Sequence, residues 1–447
     1  MADETPADEA MAREPVSVKA PVRNPLARFV RHGAIGAMAA QVSQAGGSFA
    51  LQLIAAVMLG LAGFGKFAIL YGVIVLLTGL ASGFVGDSLT VLNRRSPGIR
   101  AGLQGWAILL SVGAGLVGGG IVIVIGFATP AEGALFAVAI VLFLLEDVFR
   151  RLLMAELLFW RITIVDAVAV AVSLTTLGIT AAISAVTLSA LFGALALGQG
   201  FAMVVAIFLV PARERYLVPV RGGEFATVFG YGAWRSAQQG VRPALLTAVR
   251  TAVVIVIGLT AVGELEAARL FVAPAMLVVS GFSSFLFASF ARSSHLPLTR
   301  LLRKADVGVA QLVGVTILIG AAALLVLPEV GQHLIGERLN TLTVVGWLAY
   351  AASVAAVTPY GALAAVRGKQ ATVLALRVTD SVLSLTGAIL VVLLGGPVSL
   401  VPFVLTLGSL LGGLAIRWLV LSPQLSQSSF PPAGAISFPK KKAASHV

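Results

Sequence analysis

The chain has 447 residues, 58% of them hydrophobic and only 11% charged, where a soluble chain carries roughly 25% charged residues. So few charges cannot cover a soluble surface of this size, and with a mean hydropathy of +1.00 the composition specifies an all-α, polytopic membrane protein and excludes a soluble enzyme. The absence of cysteine excludes disulfides, thiolate metal sites and thiol catalysis, while the net charge of +12, from 31 Lys and Arg against 19 Asp and Glu, has to be located.

In chain order, residues 1–33 are rich in Pro, Glu, Asp and Ala and end in Arg23, Arg28 and Arg31. No short apolar core follows an early basic start, so the segment reads as a disordered cytoplasmic arm and not as a cleaved signal. A helix needs about 20 apolar residues to cross the hydrocarbon. Twelve stretches meet that length, near 35–60, 68–91, 103–127, 134–149, 164–185, 188–210, 236–260, 267–290, 308–328, 342–365, 371–394 and 399–420. They divide into an N-terminal six-helix half over 34–211, a cytoplasmic linker over 212–235 and a C-terminal half over 236–420. The tail over 421–447, with Lys440, Lys441 and Lys442, reads as disordered.

Loop charge sets orientation. With the N-terminus inside, the inner loops hold Arg94, Arg95, Arg100, Arg150, Arg151, Arg161, Arg213, Arg215, Arg221, Arg292, Arg300, Arg303, Lys304, Arg367 and Lys369. The outer loops hold Lys66 and Arg338 beside Glu132, Glu264, Glu266, Glu329 and Glu337. Both termini are then cytoplasmic. Most of the positive charge is topology, so the high isoelectric point requires no nucleic acid as partner.

A shift of 198 residues lays Leu59-Gly60-Leu61-Ala62-Gly63-Phe64-Gly65 over Ile257-Gly258-Leu259-Thr260-Ala261-Val262-Gly263. It also lays Ser82-Gly83-Phe84 over Ser280-Gly281-Phe282, and Gln41 over Gln239. Two halves of six spans each have the same orientation, a parallel repeat. Asp166 and Asp380 form a candidate second pair at a different offset.

The repeat superimposes two polar stripes. At about 100° per residue, Gln41, Gln44, Ser48 and Gln52 of span one lie near about 0°, −60°, −20° and +20°. Arg235, Gln239, Arg242 and Arg250 of span seven lie near about −40°, 0°, −60° and +20° on the same count. An arginine at the bilayer centre costs about 2.5–3.5 kcal/mol on insertion scales. Arg250 therefore faces either a watery cavity between the halves, as part of an anion-binding wall, or a buried carboxylate such as Asp87 or Glu146. Arg235 and Arg242 line the same cavity or snorkel inward, and Arg269 points to it or snorkels outward.

Of the intramembrane carboxylates, Asp87 is the candidate for ion coupling. Glu146 and Asp147 are placed to pair with Arg150 and Arg151 at i, i+4. No two of His32, His295, His333 and His446 have metal-ligand spacing, and no Walker A sequence is present. No metal, no cofactor and no enzymatic activity are expected.

The layout resembles the multidrug/oligosaccharidyl-lipid/polysaccharide (MOP) exporter superfamily. The resemblance rests on Gln41, Leu59-Gly60, Phe64-Gly65 and Phe67 in the first half, and on Gln239, Ile257-Gly258, Gly263 and Ala268-Arg269 in the second. The loop Arg367-Gly368-Lys369-Gln370 is similar to its polysaccharide-flippase branch. That resemblance implies a V-shaped bundle with a cationic central cavity in a bacterial plasma membrane. It implies flipping of an undecaprenyl-pyrophosphate-linked glycan across membrane lipids, in a pathway with glycosyltransferases or a polymerase. Arg242, Arg250 and Arg269 then bind substrate, with Arg235, Gln239, Gln41, Gln44 and Gln52 beside them. The glutamine face of span one departs from the arginine-rich opening of the peptidoglycan-precursor branch. Two alternatives remain. One is a small-molecule or drug exporter of MATE or major-facilitator type; Gly83-Phe84-Val85-Gly86-Asp87 with Arg94-Arg95 resembles in part the loop between spans two and three of the major-facilitator group, though the basic pair comes late and the intervening glycine is missing. The other is a non-transporting subunit of polysaccharide assembly.

Overall fold

A computed structural model describes residues 33–293, 295–335 and 339–423. The N-terminal arm, but for Gly33, and the tail beyond Pro423 lie outside the described residues, as do Glu337 and Arg338. Every described element is helical. In chain order they are α1 (Gly33–Ala81), running through a π turn at Ser82–Gly86 into α2 (Asp87–Val91), α3 (Pro97–Val124), α4 (Pro130–Ala155), α5 (Phe159–Ile183) and α6 (Leu188–Leu209). Then come α7 (Phe225–Val256), α8 (Leu259–Leu270), α9 (Ala273–Arg292), α10 (Leu298–Ile335), α11 (Thr341–Val366), α12 (Gln370–Leu393) and α13 (Val401–Ala415), which ends in a π turn at Ile416–Leu421.

Nine of these stretches are long and apolar enough to cross a membrane, ten when α8 and α9, bent by 56°, count as one. Two more crossings come from geometry. The helix α4, charged at Glu146, Asp147, Arg150 and Arg151, packs along α3 and α6 like its apolar neighbours. Its start is fixed by Pro130 in the first turn and a capping box between Thr129 and Glu132. And α1 is two spans joined at one residue. Gly60 has φ 65° and ψ 174°, a region essentially closed to side-chain-bearing residues. The Tyr71 hydroxyl donates to Ser48 Oγ at 3.0 Å, whereas a straight helix would hold these residues roughly 35 Å apart. Among the described residues the total is twelve crossings in two six-helix halves.

Gly258, at φ 127° and ψ 178°, makes the same turn between α7 and α8. The two hairpin tips meet in mirrored fashion. A Cβ on Gly65 would strike the Leu259 carbonyl, and a Cβ on Gly263 would strike the Leu61 carbonyl. Both contacts obey the 198-residue shift, which is therefore a spatial near-twofold. Below the tips, span two descends α7, with Gly72 against Thr247 and Arg250, Gly79 against the Gln239 carbonyl and Gly83 against Arg235 and Ser236. Glycines on this face let the backbones approach closely.

The linker is shorter than expected. Helix α7 begins at Phe225, not near 236, because Phe225 and Phe229 pack on Trp106, and Phe229 on Phe84. What precedes it is bound down. Glu214 accepts from Arg100 Nη1 at 2.8 Å and lies 3.3 Å from Arg94 Nε, while Glu156 pairs with both Arg94 and Arg213. Arg100 also lies over the Tyr216 ring at 4.3 Å. This basic face is the one that carries the start of span one.

Candidate functional site

Span one divides its polar stripe between two cavities. Gln41 and Gln52 line a central cavity of about 270 Å³ between the halves, with Phe49, Arg242, Arg269, Ser280, Trp347 and Tyr350. Gln44 and Ser48 face away from it, into a crevice inside the first half. Gln41 and Ser280 are exposed at the mouth, toward the basic face. Arg269 and Gln52 close the far end, where Arg269 Nη2 donates to Gln52 Oε1 at 3.3 Å. Above them the hairpin tips seal the bundle, so the cavity opens on the basic face.

Arg250 does not line this cavity, and the anion wall expected of it is corrected. It is 5% exposed and forms a two-pronged ion pair with Glu266, Nε to Oε1 at 2.8 Å and Nη2 to Oε2 at 3.2 Å. The partner is neither Asp87 nor Glu146. Glu266, assigned by sequence to an outer loop, is 2% exposed inside α8. Arg269 Nε donates to the same carboxylate at 2.7 Å. Two guanidiniums thus share one carboxylate, and Arg269 brings the surplus charge to the cavity wall.

Arg242 is the cation left over. It makes no ion pair among the described residues, its Nη2 is buried without a hydrogen-bond partner, and it stacks on Tyr350 at 5.3 Å. Arg235 is corrected too: it pairs with Asp87, Nε to Oδ2 at 2.8 Å, and donates to Gln238 Oε1 at 2.7 Å. Asp87 is therefore a strut between span two and α7, and not a free coupling carboxylate. Gln239 is exposed, its carbonyl beside Gly79, and it lines neither the central cavity nor either crevice.

Each half also encloses a crevice of its own. In the first, of about 50 Å³, Gln44, Ser48, Glu146, Asp166, Ser173 and Gln199 converge. Arg150 reaches Asp166 at 3.1 Å, instead of Glu146 as the i, i+4 spacing suggested, and Asp147 takes Arg151 at 3.6 Å and the Ser82 hydroxyl. Glu146 has no ion pair or hydrogen bond among the described residues. In the second, of about 230 Å³, Arg242, Tyr350, Arg377, Asp380, Ser384 and Ser409 converge.

The close approaches fix the equivalence of the two crevices. Gly198 abuts Ser173 and the Ala169 carbonyl, and Gly408 abuts Ser384 and the Asp380 carbonyl. This register lays Asp166 over Arg377 and leaves Asp380 one turn away, correcting the pairing of the two aspartates. Tyr350, Gln238 and Arg377 were missed by sequence reasoning. Arg377 alone carried a signal, a charge inside an apolar span.

No protein-family model matches the chain, and no curated protein matches it. Solved structures do match its fold. An inward-facing multidrug resistance MATE family transporter of the MOP superfamily superimposes with a TM-score of 0.60 at 14% identity, over 87% of this chain and 96% of that one. An outward-facing MATE family transporter gives 0.59 at 13% identity, over 90% and 99%. A MOP superfamily transporter from Pyrococcus furiosus, described as having a binding pocket of reverse polarity that suggests a different function, gives 0.62 at 13% identity, over 88% and 94%. The chain has the fold of these transporters.

Proposed function

We propose that this chain is a membrane transporter that moves an anionic lipid-linked oligosaccharide, an undecaprenyl-pyrophosphate-linked polysaccharide precursor, from the inner to the outer leaflet of a bacterial plasma membrane. The observation that carries the reading is the cationic surplus at the central cavity: Arg242 and Arg269 line it, while the Glu266 carboxylate is already taken by the buried Arg250. Unpaired polar groups cost several kcal/mol in hydrocarbon, so a pyrophosphate and its sugars need a wet, cationic path. Arg269 and Arg242 supply charge-assisted donors for the pyrophosphate. Tyr350 and Trp347 add apolar walls, and Gln41 and Gln52 offer amides to sugar hydroxyls. A cavity open on the basic face suits loading from the inner side, and rocking of the two halves about the hairpin tips exposes it to the other.

A second reading, a drug exporter of MATE type, is favoured by one observation, the acidic crevice of the first half. Glu146 without a partner beside Asp166 suits a coupling cation. The test is deletion of the gene followed by complementation. On the first reading, lipid-linked glycan accumulates on the cytoplasmic side, and Arg269→Gln fails to clear it at normal protein level. Normal glycan export with raised sensitivity to cationic drugs sinks that reading and supports the second.

A further inference from the structure

The crevice of the second half has a chemistry that the central cavity does not explain. It contains two guanidiniums, Arg242 and Arg377, against the single carboxylate of Asp380, with Arg377 Nη1 and Asp380 Oδ2 3.8 Å apart. That separation is an ion pair beyond hydrogen-bonding distance. Three of its lining groups are buried with no hydrogen-bond partner: Arg242 Nη2, Asp380 Oδ2 and Ser409 Oγ. Orphaned buried polar atoms are rare in native proteins and require an explanation. Here all three belong to residues that line one cavity. They comprise a donor, an acceptor and a hydroxyl that can be either.

We propose that this crevice is a binding site for a small protonated oxyanion of the phosphate class, held between Arg242 and Arg377. Two cations against one anion disfavour a metal cation and leave one negative charge to be supplied. The unprotonated oxygens of dihydrogen phosphate, a monoanion that matches this count, accept from the guanidiniums, and its two O–H groups donate to the Asp380 carboxylate and to the Ser409 hydroxyl. A volume of about 230 Å³ holds such an ion with several waters, each needing only about 10–15 Å³ of probe-occupied space. Tyr350 and Arg242 border both this crevice and the central cavity, so the site is walled off from the cargo path by side chains that touch both. It goes beyond the transport reading, with which it shares Arg242, and is tested through Arg377 and Ser409, which line the crevice and not the central cavity.

The test is binding of radiolabelled inorganic phosphate to the purified full-length protein in lipid nanodiscs. Saturable binding of one phosphate per chain is expected. Arg377→Gln should weaken it about tenfold or more, the effect of one charge-assisted bond. Ser409→Ala leaves every charge in place and should weaken it severalfold. Arg269→Gln, which removes a cation from the central cavity and from the Glu266 cluster but lines no part of the crevice, should leave it unchanged at equal protein level. Sulfate, which carries no proton at neutral pH, should bind about tenfold more weakly, and Asp380→Asn should erase that preference. Farnesyl phosphate displacing phosphate in an Arg377-dependent manner would keep the site and assign it to a lipid headgroup. Absence of saturable binding, binding unaffected by both Arg377→Gln and Ser409→Ala, or binding lost in Arg269→Gln but kept in Arg377→Gln would each overturn the proposal, the last by moving phosphate to the central cavity.

Discussion

The two halves hold equivalent crevices of opposite sign. In the first half Glu146 and Asp166 outnumber Arg150, and in the second Arg242 and Arg377 outnumber Asp380. The change occurs at matched positions, neutral Gln44 against cationic Arg242 and anionic Asp166 against cationic Arg377. The hairpins differ likewise. The first is tied by a neutral bond from Tyr71 to Ser48, the second by Arg250, Glu266 and Arg269. A repeated backbone therefore leaves electrostatics free to diverge. The scaffold contacts at Gly65 and Gly263 stay matched while the polar groups lining the cavities do not.

The largest expected effect breaks the second hairpin. Glu266→Gln leaves Arg250 buried without its counter-charge, which costs about 3–5 kcal/mol, and the variant should nearly disappear from membranes in a detergent-extraction assay. Replacing both Arg250 and Glu266 by Met should recover most of the protein. Tyr71→Phe in the first hairpin removes one neutral bond, about 1 kcal/mol, and a loss equal to that of Glu266→Gln would erase the contrast. Next comes transport. Arg242→Gln should cut flux about 10–100-fold, the equivalent of one or two charge-assisted bonds. Gln44→Ala at the matched position should retain most of it, as read by surface glycan at equal expression.

Smaller effects belong to the basic face. Asp87→Asn should lower stability by about 1 kcal/mol, since the pair with Arg235 is partly exposed, and a thermal shift at matched lipid content reads it. Glu156 is held below the ordinary carboxylate value of 4.5 chiefly by its bond to Arg213, with Arg94 assisting. A depressed carboxylate contributes stability above its unfolded value and loses it as pH falls through the folded one. The melting temperature should accordingly fall on acidification below about pH 4.5. Glu156→Gln should flatten part of that fall, and an unchanged acid profile would show the cluster to be inert.

Much of the bundle was legible because hydropathy acts over whole spans. The turn at Gly60 and its repeat at Gly258 were legible as matching glycines. What the turn does to its flanks was not. Hydropathy reads the stretch after Gly258 as a loop and sets Glu266 in it. With a one-residue turn, Arg250 and Glu266 stand equally far from the tip on facing helices. The stripe on span one was legible as an arc. Its division was not, because which edge of an arc meets which cavity depends on helices far away in sequence. Asp87 and Arg235, 148 residues apart, are joined only by the packing of one half on the other.

The single-residue turn at Gly60 also bears on how the protein enters its membrane. Two spans joined without a loop have no polar segment to be drawn through the bilayer, so they can be inserted together as a helical hairpin. Arg94 and Arg95 then lie on the same side of the bundle as the start of span one. A bulky residue at Gly60 would register as misinsertion and degradation during biogenesis, before any cargo is met.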